Sequence, residues 1–450
     1  MSIGTLFKRL VGVSPKPTFP AKPNADPFGR EKPQGSPPPA LFTAPSEREP
    51  AIVQRDEIID AKTRIAGYRF AARFADRPEA PDPRATVAVL NESRLRTFAE
   101  RRLALIPLAL EDWPNYDWRA LIGPHTTFEI AAPRTATDTW LASAQEIRAA
   151  GAKIALSQID PQRDAPLLDG VASYVVLDFA AYPLSGFEKT VVSLRTAHPS
   201  LQIIADNIGS WPERRLVLAL GVGFCLGEFT TLPDEEQQNE NISPSRLVLI
   251  EMLNLLRREA DQSELVAVAK RDPAVAMQLV GMANSPVFGV GSAITSVDQA
   301  IVLLGREPLY RWLAIAIFRT GGGSARDATL LELALARGRF LELIGQNRLS
   351  KPECDELFLV GLLSLMDALL GIPMAKLLAR IKLSATLADV LLRSEGQWGR
   401  YLLLAIAVEK GRVAQVTNLA SLLQIPPGEI EVASIAALDW AAEAVHFSAG

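Results

Sequence analysis

Histidines, cysteines and glycine-rich runs would let this 450-residue chain hold a metal, a nucleophile or a phosphate, and their spacing argues against each. The three histidines, His125, His198 and His446, stand far apart and outside any ligand spacing, so each reads as an ordinary surface or loop residue. Cys225 and Cys354 are too few and too distant for a disulfide framework or a thiolate zinc site. Cys225 lies in an apolar strand context without a neighbouring histidine, which makes it a buried structural thiol. Gly221-Val-Gly-Phe-Cys-Leu-Gly227 has the glycines of a dinucleotide loop, yet Glu228-Phe-Thr-Thr-Leu-Pro follows where a helix should open. Gly289-Val-Gly291 lacks the Gly-Lys-Ser/Thr ending of a phosphate loop, and Gly321-Gly-Gly323 reads as a connection between helices.

Composition narrows the function classes further. Hydrophobic residues make up 48% of the chain, enough for a sizeable core. A net charge of −4 excludes a broad electrostatic grip on nucleic acid, which shows as a basic surplus. Cysteine usage points to a reducing compartment, and a cytoplasmic protein is expected. The first residues have no uninterrupted apolar run before their prolines, so no secretory signal is read there. The longest apolar stretch, residues 357–374, is broken by Asp367 and Pro373; a bilayer span needs roughly 20 apolar residues, so buried helices are predicted and no membrane span.

The elements that must position any site fall into two halves. Eleven of the 32 prolines lie in residues 1–50, with few large apolar residues, so this stretch is expected to be a disordered tether. Residues 51–232 alternate short apolar runs with helical segments, and strands are predicted at 65–70, 103–108, 127–130, 153–156, 174–177, 202–205 and 223–226. Trp140, Ala144 and Ile147 share one helical face ahead of Gly151, and Phe187, Val191 and Leu194 repeat the spacing. Such alternation argues for an α/β unit of parallel strands covered by helices. Residues 233–243 are acidic and aperiodic, a linker. Residues 244–446 are helical: Asp272-Pro273 sets an N-cap before a first-turn proline, and Ser296 with Gln299 matches a capping box closed by Gly305.

Two segments resemble known families. Asp60-Ala-Lys-Thr-Arg-Ile-Ala-Gly-Tyr-Arg-Phe-Ala-Ala-Arg73 resembles the opening of EAL domains, which hydrolyse cyclic di-GMP on a (β/α)8 barrel. At about 180 residues the segment is shorter than a usual EAL barrel, and a trimmed or incomplete one is expected. Asp272-Pro-Ala-Val-Ala-Met-Gln-Leu-Val-Gly-Met-Ala-Asn-Ser285, continued by Ile294-Thr-Ser-Val-Asp-Gln-Ala-Ile-Val-Leu-Leu-Gly-Arg306, is similar to the HDOD signature, an all-helical domain. Within it, Asn284 and Ser285 are expected to fix a sharp bend after a helix.

The EAL resemblance implies two Mg²⁺ or Mn²⁺ ions held by acids at successive strand ends. Position by position, this chain departs from that set. The name-motif glutamate is Arg69, the next asparagine falls on Pro107, the paired aspartates on Ser157 and Gln158, the catalytic lysine on Val176, and the late glutamine on Leu226. Glu129, Asp178 and Asp206 match retained acids, with the plain reading that they are solvated or paired polar residues. Two like charges about 4 Å apart repel by several kcal/mol at intermediate dielectric, so a cation beside Arg69 is disfavoured. The HDOD resemblance implies a superfamily named for a His-Asp metal pair that HDOD members generally lack; Ser364-Leu365 stands in that place here. The expectation is a protein with no enzymatic activity, metal or cofactor, acting in cyclic di-GMP signalling through partner proteins on its HDOD domain. The alternative is a barrel that binds cyclic di-GMP without cutting it; an active phosphodiesterase ranks last.

Overall fold

The computed structural model describes residues 51–74, 82–234, 236, 242–284, 293–320, 324–380 and 383–446. The proline-rich tail, Ser285, Gly289–Gly291, Gly321–Gly323 and most of the acidic linker lie outside the described residues.

The first half is a closed barrel of eight strands in sequence order. They are β1 (Ala51–Asp60), β2 (Ile65–Phe74), β3 (Leu103–Pro107), β4 (Thr126–Ala131), β5 (Lys153–Ser157), β6 (Tyr174–Asp178), β7 (Gln202–Asp206) and β8 (Phe224–Cys225). Strands β2 to β8 pair in parallel, as the alternating pattern predicts, but β1 runs antiparallel to both β2 and β8 and completes the ring. The barrel is therefore not incomplete. Its economy lies in the connections: α1 (Pro83–Glu92) and α2 (Leu95–Phe98) precede β3, and two short 3₁₀ turns replace a helix between β3 and β4. Thereafter α3 (Asp138–Ala149), the one-and-a-half-turn α4 (Ala165–Gly170), α5 (Leu184–Ala197) and α6 (Trp211–Ala219) cover the sheet.

Period-two alternation sorts the strand residues. Ile58, Leu103, Leu105, Ala155, Val176, Ile204 and Leu226 form one buried cluster, the barrel interior. Their neighbours Ile106, Phe128, Leu156, Val175 and Ile203 belong to a second cluster shared with the covering helices. Gly67 is demanded by close approach, since a Cβ there would lie 2.0 Å from the Leu103 carbonyl oxygen.

The second half is helical: α7 (Pro244–Arg257), α8 (Gln262–Ala269), α9 (Pro273–Ala283), α10 (Val297–Leu304), α11 (Arg306–Arg319), α12 (Ala325–Gly345), α13 (Lys351–Leu363), α14 (Met366–Leu370), α15 (Met374–Arg380), α16 (Ala385–Arg393), α17 (Gly399–Glu409), α18 (Val413–Leu423) and α19 (Pro427–His446). Asp272 caps α9 by accepting from the amides of Ala274 and Val275, with Pro273 in the first turn. Ser296 accepts from the Gln299 amide, but the Gln299 side chain reaches the Thr295 amide and not that of Ser296, so the expected box is only half closed. Gly305, at φ +70°, separates α10 from α11. No described helix is long and apolar enough to cross a membrane.

The halves share an extensive interface. Ile52 of β1 joins the core of α12, α13 and α16–α19, while Leu438 of α19 joins the outer barrel core. Arg102 makes a two-pronged ion pair with Glu332 of α12, at 2.6 and 2.9 Å, and Tyr68 donates to the same carboxylate. Thr329 donates to the Thr63 carbonyl in the β1–β2 turn, and Arg55 to the Ser434 carbonyl.

Candidate functional site at the barrel mouth

Side chains two residues beyond the interior layer point to the same face, so β2–β7 present Arg69, Pro107, Glu129, Ser157, Asp178 and Asp206 around the mouth. Val176 and Leu226 sit one layer lower, in the packed interior. There they offer only hydrocarbon.

Arg69 organises this layer. Its Nη1 lies 2.5 Å from Asp206 Oδ2 and its Nη2 3.3 Å from Oδ1, a bidentate pair. Its Nε donates to Asp56 Oδ2 at 3.3 Å, and Glu129 Oε2 stands 3.8 Å from Nη1, an ion pair too long for a hydrogen bond. Burial by itself would weaken the guanidinium's hold on its proton, but Asp206, Glu129 and Asp56 outweigh it and the net shift is upward. The Glu129 carboxyl is pushed up, mainly by burial, with Arg69 opposing.

The rest of the rim is knitted by hydrogen bonds. Asn207 donates from its amide nitrogen to Asp206 and from its side chain to Asp178, so the third retained acid does not touch Arg69. Gln54 donates to Asp56 and accepts from Arg73. Asp56 was not foreseen as a site residue. Its signal is positional: β1 pairs it with Arg69, which follows only once the first strand is known.

A cavity of about 200 Å³ remains, walled by Asp56, Arg69, Asp206 and Glu228 of the barrel and by Glu409 and Lys410 of the helical half. The dinuclear centre implied by the EAL resemblance does not fit this set. A permanent cation occupies the space between three carboxylates, Pro107 offers no side-chain oxygen, and among the described residues no cluster of three or more acids, histidines or cysteines is arranged for a metal.

The helical half shows a parallel substitution. Ser364, at the place of the His-Asp pair, accepts from Arg337 Nη1 at 2.8 Å and donates to the Gly361 carbonyl. Arg337 then makes a double contact with Glu409, at 2.9 and 2.6 Å. Asp367 nearby is pushed up, chiefly by burial. Asn284 bridges the end of α9 to the start of the next segment: its side chain donates to the Val280 and Ile294 carbonyls and accepts from the Ile294 amide.

The other polar residues read from sequence are structural. Cys225 and Cys354 are buried, and burial pushes the Cys225 thiol up to about 12. His125 is exposed, as expected. His198 lies in the loop that follows α5, within the expected surface or loop setting, but it is buried (6% exposed), with Nδ1 2.5 Å from Asp169 Oδ1.

An eight-stranded α/β barrel with its mouth filled by an arginine–carboxylate cluster is thus joined to an all-helical half. Residues 245–379 match the family model of the HDOD domain. The chain is 24% identical over 374 residues to the cyclic di-GMP phosphodiesterase CdgJ of Vibrio cholerae, covering 80% of this chain and 84% of that one. It is 23% identical over 311 residues to the uncharacterized protein YuxH of Bacillus subtilis, covering 68% and 75%. Among solved structures it is similar to an EAL domain protein from Listeria monocytogenes (10% identity, TM-score 0.32, 40% of this chain and 86% of that one). It is also similar to the Bacillus subtilis YkuI protein (13% identity, TM-score 0.31, 39% of this chain), of which it spans 54%.

Proposed function

We propose that this chain is a non-catalytic member of the cyclic di-GMP signalling machinery, in which the barrel is a platform and the HDOD half engages partner proteins. The observation that carries this reading is Arg69, whose guanidinium takes up the Asp56, Glu129 and Asp206 carboxylates that a cation would need. Hydrolysis as carried by the name of the Vibrio cholerae relative requires water activation by metal ions, and the ligand set here is broken at Pro107, Ser157 and Val176 as well.

Tight binding of the intact dinucleotide is also disfavoured. The mouth cavity of about 200 Å³ falls below the roughly 300–1,000 Å³ of ordinary small-molecule sites. Five carboxylates and three cations line it, an acidic excess that repels a molecule with two phosphates. The HDOD half exposes Met277 on α9 and Val302 on α10, apolar side chains open to a partner.

Calorimetry with cyclic di-GMP and Mg²⁺ or Mn²⁺, followed by chromatography of the nucleotides, tests the reading. No heat and no product are expected. Product formation overturns it, and tight binding without turnover favours a receptor. Arg69→Glu alone is expected to stay inactive, since the other substituted positions remain.

A further inference from the structure

Helix α17 ends at Glu409 and α18 begins at Val413, so Lys410, Gly411 and Arg412 form a corner, and that corner lies on the barrel rim. Gly411 has φ +60°, and a Cβ there would fall 2.6 Å from Gln54 Oε1. Glycine is what lets the corner press flat against β1. Lys410 Nζ stands 3.4 Å from Glu228 Oε1 and Arg412 Nη2 4.0 Å from the same oxygen. Glu228 opens the 3₁₀ turn that follows β8. The corner therefore lies along the rim where β1 and β8 are neighbours in the ring, and forms one wall of the mouth cavity.

Its two attachments are unequal. From behind, Glu409 is gripped by Arg337, and these side chains are 6% and 19% exposed in the order Arg337, Glu409. In front, Glu228 is 61% exposed, so its pairs with Lys410 and Arg412 are open to solvent and screened by salt. A firmly carried element with a weakly held tip can release at the tip.

We propose that the α17–α18 corner is an electrostatic latch: it holds one wall of the mouth cavity in place through Lys410 and Arg412 on Glu228, and Arg337–Glu409 ties it to the core of the helical half. Opening removes one wall of the mouth cavity and uncovers the Arg69 cluster. Because Arg337 also holds Ser364, the former metal-pair position of the helical half and the mouth of the barrel are joined through one guanidinium. The inference concerns access to the mouth and does not depend on what the mouth binds.

Hydrogen–deuterium exchange of the full chain tests it, read in peptides covering residues 207–231. Lys410→Glu sets like charges face to face at Glu228, and exchange there should rise about fivefold or more, while Lys410→Arg, which keeps the cation, should leave it near the native rate. Added salt should speed the same peptides in the native chain, which keeps the test decisive should the charge-reversed variant fail to fold. Unchanged exchange with salt or reversal, acceleration spread evenly over both halves, or an equal rise with Lys410→Arg overturns the latch.

Discussion

Asp56, Glu129 and Asp206 reach the Arg69 guanidinium from three strands, of which β1 lies beside β2 while β4 and β7 reach it across the closed ring. Three carboxylates held this close repel one another strongly at reduced dielectric, and the guanidinium offsets that repulsion with fixed, directional donors. Removing one partner of such a cluster leaves uncompensated charge. Arg69→Ala is therefore expected to destabilise the fold by about 3–5 kcal/mol, measured by chemical denaturation. The same variant frees the carboxylates, so millimolar Mg²⁺ or Mn²⁺ should raise its melting temperature and leave that of the native chain unchanged. Equal metal response in both would show that the carboxylates were already accessible.

At the scale of elements, β1 carries an unusual load. Its middle residues, Gln54-Arg55-Asp56-Glu57, serve the mouth on one face and the helical half on the other. Glu57 is pushed up to about 7, first by burial and then by Glu409, with Lys410 opposing. The folded state thus keeps a proton that the unfolded chain sheds from about 4.5 upward. Stability from this group is present below that range and is lost as pH rises through about 7. Glu57→Gln should flatten the decline: its melting temperature is expected to exceed the native value by a few degrees at pH 8 and to match it near pH 4.5. A parallel offset at both pH values would assign the effect to packing instead. The polar makeup of this run is also why β1 escaped a reading based on apolar alternation, whereas β2 to β8, with buried hydrocarbon on both faces, were legible.

Across the whole molecule, the interface between the barrel and the helices includes a buried pair, Arg102–Glu332, whose side chains are 10% and 3% exposed. Glu332→Ala leaves Arg102 and the Tyr68 hydroxyl without their shared acceptor, and a loss of about 3–5 kcal/mol in unfolding free energy is expected, with both halves melting together at the lower denaturant midpoint. Retention of the native midpoint would show that the halves stand independently.

Much of the fold was set by the chain's local pattern. Period-two apolar runs, N-caps such as Asp272-Pro273 and the shift from alternation to helical spacing depend on neighbours a few residues apart, so strand and helix types and the order of the two halves could be read directly. Closure of the barrel by a reversed β1, the gathering of Asp56 with Asp206 on Arg69, the burial of His198 and the corner laid over the mouth were decided by tertiary structure. Those features rest on contacts between residues far apart along the chain, and only packing brings such partners within reach of one another.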